Sequence, residues 1–525
     1  MRILIRHILL LLGVFPVLAQ DREAYIKGKA YDTGHEWVLV ADDTYVEDKI
    51  GMVRVLGAVN KMPNNPVIVP DQPWEDVIAH PDARFDEATG RYQMWYQVWN
   101  GPAWHARHSK WTAKTVPPER LKNWHSYFIG YASSADGARW EKPALDLHQY
   151  LDFKKTNIVH IGEDEAEAQR LYANPDTSDP SKRLFMIYSD RLKDPAKGQS
   201  LMLAWSADGI RWRVDHTASP LATRVPDGSF DLARDETRKR WFLFRRPDYA
   251  SAALKRQGPY SAVRANGRYT VSVNDKLGPG WSYPRVVLAP DEEVEWRDID
   301  MVRVIREGTH FIALMGLMDD SQKGLQQVHL AVSPDGIRWT RYPYLPAFLP
   351  RGPEGSFDAG QTNPPAVVHR GEFTYLFYAG INVGQRVQQG YYATIGAARM
   401  RRGRWIGLKS GVEGGYVLTR ELTTSGDRLE VNYQGIIAPY MKPIDGRPIG
   451  NIRVELLRKS PVEGHLEPIP GFTFQESDPL VGDGLAGVVT WKGDPDLSRL
   501  SGRPVWVRFH VVQSELWGFR FAGGG

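Results

Sequence analysis

The chain of 525 residues contains no cysteine. That absence excludes disulfide bridges, thiolate metal centres, a cysteine nucleophile and lipid carried on cysteine. Net charge is nearly absent too. The 66 Lys and Arg residues stand against 62 Asp and Glu, leaving +4. Setting aside Arg2 and Arg6 of the leading segment brings the balance closer still to neutral. Such a balance gives no global electrostatic case for nucleic acid as a partner. Long apolar runs are missing beyond the N-terminus, so no later segment is predicted to span a bilayer. The one such run, Ile8 to Leu18, follows Arg2 and Arg6, and Val17-Leu18-Ala19 before Gln20 reads as a small-residue cleavage site. This predicts a secretory signal peptide over 1–19, with an uncleaved anchor as the competing reading. The expectation is export, periplasmic or secreted, with no membrane association after cleavage. What is plentiful is tryptophan and tyrosine, 18 and 23, beside 49 Gly and 36 Pro. That composition suits an all-β protein that handles carbohydrate.

One phrase recurs. Tyr131 to Trp140 reads YASSADGARW, Ala204 to Trp212 reads AWSADGIRW, and Ala331 to Trp339 reads AVSPDGIRW. Each copy follows an alternating strand. Asp-Gly is hairpin chemistry, because Asp accepts turn amides and Gly supplies positive φ. Worn copies end at Trp281 and Trp405. Before each lies a strong strand, such as YQMWYQVW from Tyr92 or FTYLFYAG from Phe373, and before that a shorter innermost strand. Four strands repeated five times at a near-constant period predict a five-bladed β-propeller over 62–411. Short alternating strands after that predict a C-terminal β-sandwich over 412–521. The segment 20–61 is expected to pack on the propeller as an N-terminal extension, and 522–525 to form a disordered tail.

In a propeller the innermost strands line a channel, so several blades aim side chains into one volume. Counting back from the inner-strand hairpins places His80, Ser229, Asp300 and Asn363 at one level, with Glu75, Asp76, Asp231, Asp298 and Asp358 close to it. The second blade offers Glu165, Glu167 and Arg170. Singly, such acids often cap strand ends or pair with arginine. Repeated at one depth, they suit glycosidic cleavage: one carboxylic acid donates to the leaving oxygen, and one carboxylate activates water or attacks. A third can hold the first protonated by charge repulsion.

Repeated S-x-D-G-x-x-W hairpins, inner-strand carboxylates, an export signal and a trailing sandwich resemble the five-bladed-propeller glycoside hydrolases of families 32, 43, 68 and 117, with the family 130 phosphorylases nearby. The resemblance implies three acids from different blades, and Glu75, Asp231 and Asp300 match by position, with Asp358 as a fourth. It also keeps His80 as an acid, since a histidine serves in one of these families. The chain departs from the pattern in lacking W-x-N-D-P-N-G, R-D-P and E-C, and His80-Pro81 and Asn363-Pro364 stand where Asp-Pro would fit.

Asn100 to Tyr127 holds Trp104, His105, Arg107, His108, Trp111, Trp124 and His125, suited to stacking on sugars and binding an acidic group, or to an ordinary packed loop. Arg297 beside Asp298 leaves room for phosphate as a co-substrate. Trp491, Trp506 and Trp517 form a candidate glycan platform in the C-terminal sandwich. The candidate catalytic residues are thus Glu75, Asp231 and Asp300. The candidate substrate-binding residues are Asp76, His80, Trp104, Glu167, Arg297, Asp298, Asp358 and Asn363. No metal or cofactor is called for, and the sequence does not set an oligomeric state. The expected activity is a glycoside hydrolase acting on a polysaccharide or oligosaccharide. The rivals are a non-catalytic glycan-binding propeller and a glycoside phosphorylase.

Overall fold

The computed structural model describes residues 30–100, 125–175, 177–192, 194, 198–223, 225, 228–247, 267–290, 298–387, 389–435, 450–460 and 465–523. Among them there is no α-helix, only strands and short 3-10 turns, so the chain is all-β. Among the described residues no helix is long and apolar enough to cross a membrane. Contacts divide the chain into two units: 57–402, and a second made of 1–56 with 403–525.

In the first unit, antiparallel sheets follow one another along the chain. Each begins with a strand carrying polar residues and continues through an apolar second strand. The first runs Val77–Asp86, Arg91–Trp99, Tyr127–Ser134, Ile158–His160; the second Glu167–Ala173, Leu184–Arg191, Gln199–Ser206, Arg213–Val214. The third runs Phe230–Asp235, Arg240–Arg245, Tyr269–Asn274, Arg285–Leu288, and the fourth Asp298–Glu307, His310–Asp319, Leu325–Ser333, Thr340–Arg341. The fifth takes Ala366–Arg370, Phe373–Ile381 and Ala393–Arg401 from late in the unit. Its outer strand, Asn60–Lys61, comes from the beginning. The opening strands of successive sheets lie side by side, first against second, second against third, third against fourth, and the fifth against the first.

The recurring turn explains why the phrase is written more than once. Ser134 Oγ accepts from the Gly137 amide at 2.9 Å, Asp136 Oδ1 accepts from Ala138 and Arg139 at 2.8 Å, and Trp140 Nε1 donates back to the Gly137 carbonyl at 3.1 Å. The same bonds recur at Ser206, Asp208 and Trp212, and at Ser333, Asp335 and Trp339. The Arg139 and Ala138 amides hold the Asp136 carboxyl below its ordinary range. Each glycine has positive φ and sits against an aromatic ring of the preceding sheet: Gly209 against Trp95, Gly137 against Phe377, Gly336 against Phe242. Trp95 Nε1 also donates to the Gly209 carbonyl at 2.5 Å. A side chain at that glycine has no room, so the motif joins neighbouring sheets.

The other unit corrects three sequence expectations. Residues of 30–56 pair with C-terminal strands: Val46–Ile50 with Gly415–Thr419, Met52–Leu56 with Ile406–Ser410, Val38–Leu39 with Ser514–Ala522, and Tyr31–Asp32 with Leu422–Thr423. They are therefore strands of that unit rather than an extension belonging to the sheets of 57–402. The division falls at Leu56/Gly57 and Arg402/Gly403, so Trp405 lies outside the repeating sheets. Ala522 is no loose tail; it is buried and ends the strand Ser514–Ala522. Two sheets here enclose one apolar cluster that includes Val417, Leu429, Val454, Phe509 and Phe519.

Candidate active site

The registers place four side chains at one level. In the first four sheets the second strand begins opposite Ser134, Ser206, Asn274 and Ser333. Three residues further on, Trp95, Ile187, Phe244 and Leu314 face Asp82, Arg170, Asp231 and Arg303 on the opening strands. Around the sheets the charges alternate: aspartate, arginine, aspartate, arginine. All four are at least nine-tenths buried.

Two equivalent joints hold them. Asp82 accepts from its own neighbour's amide, Ala83, and from Leu171 of the next sheet at 2.8 Å. Asp231 likewise accepts from Leu232 at 2.9 Å and from Val304 of the next sheet at 2.7 Å. Arg303 lies between the two acids, 3.2 Å from both Asp82 oxygens and 3.4 Å from Asp231. Tyr172 Oη also donates to Asp231. Burial pushes the Asp231 carboxyl up, against the pull of Arg303 and Arg170. Burial alone lowers Arg303, but Asp82 and Asp231 more than reverse this. Asp231 therefore has both oxygens engaged and braces the third sheet against the second and the fourth.

Toward the ends of the sheets away from the Asp-Gly turns, three opening strands break register. The shifts fall between Ala79 and Asp82, between Glu167 and Arg170, and between Ile299 and Met301. His80, Ala168 and Asp300 sit in these bulges, His80 and Ala168 at positive φ. Bulges re-aim side chains, and they are frequent beside active sites. The Asp300 carbonyl accepts from Ser229 Oγ at 3.1 Å, from Tyr269 Oη at 3.0 Å and from Arg246; Arg246 Nη2 also holds Asp300 Oδ1 at 2.6 Å. Gln169 Nε2 donates to the His80 carbonyl at 2.7 Å, fixing the first bulge from the second sheet. Glu167 opens the second sheet and accepts from Gln199. Tyr391 packs with Val77, Ile381, Ala393 and Trp99, and burial together with the Asp300 charge pushes its hydroxyl up to about 12. Tyr127 is raised by burial, then by Glu167, Glu165 and Tyr391. Trp99, which pairs with Tyr127 in the first sheet, packs in the same apolar cluster as Tyr391.

The strands Arg91–Trp99 and Arg240–Arg245 finish at this same end, and Tyr127–Ser134 and Tyr269–Asn274 begin there.

His80 is held down to about 3, by burial first and then by Arg170, with Asp300 pulling upward and Arg303 downward. Its ring is thus held neutral at physiological pH. His160 is lowered to about 3 as well, by burial and then by His148 and His125. Both pKa values lie below the unfolded value near 6.5, so the unfolded chain binds more protons between roughly pH 6.5 and 3. The expected result is a melting temperature that falls as pH drops through that window. A shallower fall in His80→Gln and His160→Gln checks the assignment; an unchanged slope in both contradicts it.

Glu75 and Asp358 are corrected together, since the structure gives them one arrangement twice. Tyr96 Oη donates to Glu75 at 2.8 Å and Lys142 Nζ lies 2.5 Å from its other oxygen. Tyr378 Oη donates to Asp358 at 2.9 Å and Lys61 Nζ lies at 2.5 Å. In each case the ammonium also rides over the tyrosine ring. The tyrosines face Gly130 and Gly396 across the strand, where a side chain has no room. Each of these carboxylates is thus tied to a tyrosine of a second strand and to a lysine distant in sequence. Glu75→Gln is expected to cost about 1–3 kcal/mol of stability by leaving Lys142 with a weaker buried partner. Turnover at unchanged folding should stay within about threefold of the parent; a hundredfold loss of rate contradicts this placement.

The remaining candidates scatter. Asn363 is buried and accepts from Gln326 at 2.7 Å. Asp298 opens the fourth sheet, partly buried, while Asp76 is exposed. Trp104 and Arg297 lie outside the described residues. Sequence reasoning passed over Asp82, Arg303, Arg246, Tyr127 and Tyr391. The signal for the first two was their place four residues before the last residue of the opening strand, the place that Asp231 also holds. Among the described residues no group of three or more His, Asp and Glu side chains is arranged to hold a metal ion.

No protein-family model matches the chain, and no curated protein does. Solved structures do. One is a family 130 mannoside phosphorylase group member described as containing glycoside hydrolases that target β-1,2-mannosidic linkages in Candida mannan. It is 14% identical, with TM-score 0.43, covering 66% of this chain and 95% of that one. An N-acetylgalactosamine deacetylase from F. plautii, in complex with blood group B trisaccharide, is 15% identical with TM-score 0.43, covering 66% and 96%. A thermostable family-43 glycoside hydrolase is 15% identical with TM-score 0.41, covering 62% and 91%. The similar structures are glycan-processing proteins, propeller-type glycoside hydrolases and phosphorylases among them. Identity at this level transfers neither an activity nor a residue role.

Proposed function

We propose that the chain is an exported glycoside hydrolase built as a five-bladed β-propeller with a β-sandwich formed by its two ends. The observation that carries the reading is Asp300. It is an inner-strand carboxylate set in a bulge, its side chain held by Arg246 and its backbone carbonyl by Ser229 and Tyr269, while Glu167 stands at the bulge of the second sheet's opening strand. Glycosidic cleavage asks for two carboxyl groups held in unlike surroundings, one giving a proton to the leaving oxygen and one acting on water or the anomeric carbon. Asp300, fixed by a guanidinium, fills the second role. Glu167, with the Gln199 amide as a partner, fills the first. Trp99, Tyr127 and Tyr391 offer ring faces for the sugar.

The phosphorylase alternative draws on the arginines near the site, but Arg246 is committed to Asp300 and Arg303 to Asp82 and Asp231. The test is a panel of plant, algal and microbial glycans incubated with the purified mature chain, with and without inorganic phosphate. Release of free reducing sugar that ignores phosphate supports hydrolysis. Release of sugar phosphate that requires it replaces this reading with phosphorolysis, and binding without turnover on every glycan replaces it with a lectin-like role.

A further inference from the structure

The C-terminal unit carries a feature separate from the site above. Trp491 and Trp517 are buried, so the three-tryptophan platform expected from sequence does not form. A different set of planar groups occupies one face of the sheet. The registers align Arg453 with His510, His510 with Tyr416, and Tyr416 with Ile50; one row over, Glu455 aligns with Arg508. Their alternate neighbours Val454, Val507, Phe509 and Val417 enter the core, so these side chains point the other way. Phe474, 37% exposed, stands edge-on to the His510 ring at 4.5 Å and lies under the Arg453 guanidinium at 5.8 Å. Arg508 covers the Tyr416 ring at 5.7 Å.

Charge on this face is uneven. Arg508 Nη1 and His510 Nε2 both lie 2.9 Å from Glu455 Oε1, so that carboxylate is taken twice. Both partners lower the Glu455 carboxyl against the effect of burial. Asp48 is bonded to Tyr416 Oη. Among the described residues Arg453 makes no salt bridge, though its charge helps to lower the Asp478 carboxyl; it donates to the Ser477 carbonyl and lies over the Phe474 ring. A guanidinium has five N–H donors in a planar fork that matches a carboxylate, and a ring beneath it holds the fork flat. Apolar ring faces beside such a fork suit the underside of a sugar.

We propose that this face, centred on Arg453 and Phe474, binds a uronate-bearing glycan, the carboxylate meeting Arg453 and the sugar ring stacking on the exposed Phe474. The site is held within one unit, so it does not depend on whether the other unit cleaves glycans. The test is native-gel affinity electrophoresis of the full chain in polygalacturonate or alginate, beside the same polymer after reduction of its carboxyl groups. Retardation by the acidic polymers is expected, and little by the reduced form. Arg453→Ala and Phe474→Ala should each weaken it by at least about tenfold. Arg453→Lys, which keeps the charge and loses the fork without disturbing the fold, should lose most of the binding. Arg458→Ala, an exposed cation elsewhere on the same strand, should change nothing. Absence of retardation, equal retardation by the reduced polymer, or retardation untouched in the Arg453 and Phe474 variants would overturn the proposal.

Discussion

Asp300→Asn is expected to cut turnover of the cleaved glycan by at least about a hundredfold, the contribution typical of a positioned acid–base or nucleophilic carboxyl group. The amide keeps the volume and still accepts a hydrogen bond from Arg246, and the three donors to the Asp300 carbonyl are untouched. The fold should survive, and with it substrate affinity, so the loss should fall on kcat more than on KM. Glu167→Gln is expected to behave alike. The double variant should be little worse than either alone, because groups that act as a unit are not additive. Arg246→Ala should lose activity through misplacement of Asp300, with the loss partly restored in Arg246→Lys. If Asp300→Asn folds and turns over at the parental rate, the reacting carboxylates lie elsewhere.

Arg303→Met is expected to be the most damaging single change to the fold. It leaves Asp82 and Asp231 buried without their shared cation, while each still braces an amide of the next sheet. Breaking a buried pair in this way costs about 3–5 kcal/mol. Across a unit of this size that corresponds to a melting point lower by on the order of 10 °C, with scatter of a factor of two. Arg211→Ala offers the contrast. Its side chain is 75% exposed and its partner Asp208 is satisfied by turn amides, so the change should fall within about 0.5 kcal/mol of zero. The two variants differ by one arginine each, and denaturant melts of both decide whether the alternating charges hold the sheets together. Equal stability would mean that burial of apolar rings between sheets suffices.

The sequence and the structure agree most closely where the chemistry is local. Ser-x-Asp-Gly-x-Arg-Trp closes its turn with bonds that span no more than three residues, and strands of alternating character flank it, so the repeat was legible. Partners far along the chain were not. Val46–Ile50, with only Val46 fully buried, carries almost no alternation, and its place is set by Gly415–Thr419 at the other end of the chain. The same limit misranked the acids. Glu75 looks available until Lys142 arrives from 67 residues away, and Asp358 until Lys61 arrives from 297 away. Asp82 and Arg303 lie on the hairpin side of the bulges, each four residues before the last residue of its strand; they were passed over because the count ran two or three residues further, to the level of His80 and Asp300. His80 and Asp300 were within reach of the sequence, since a bulge leaves a polar residue where alternation expects an apolar one.

The most direct measurement is a crystal structure of Asp300→Asn soaked with the glycan that the parent protein cleaves. The account predicts a sugar ring at the end of the sheets where the bulges lie, within hydrogen-bonding distance of residue 300 and of Glu167, with Tyr391 or Trp99 against its face. A sugar seated instead against Glu75 and Lys142, or at the Asp-Gly turn end of the sheets, would contradict it.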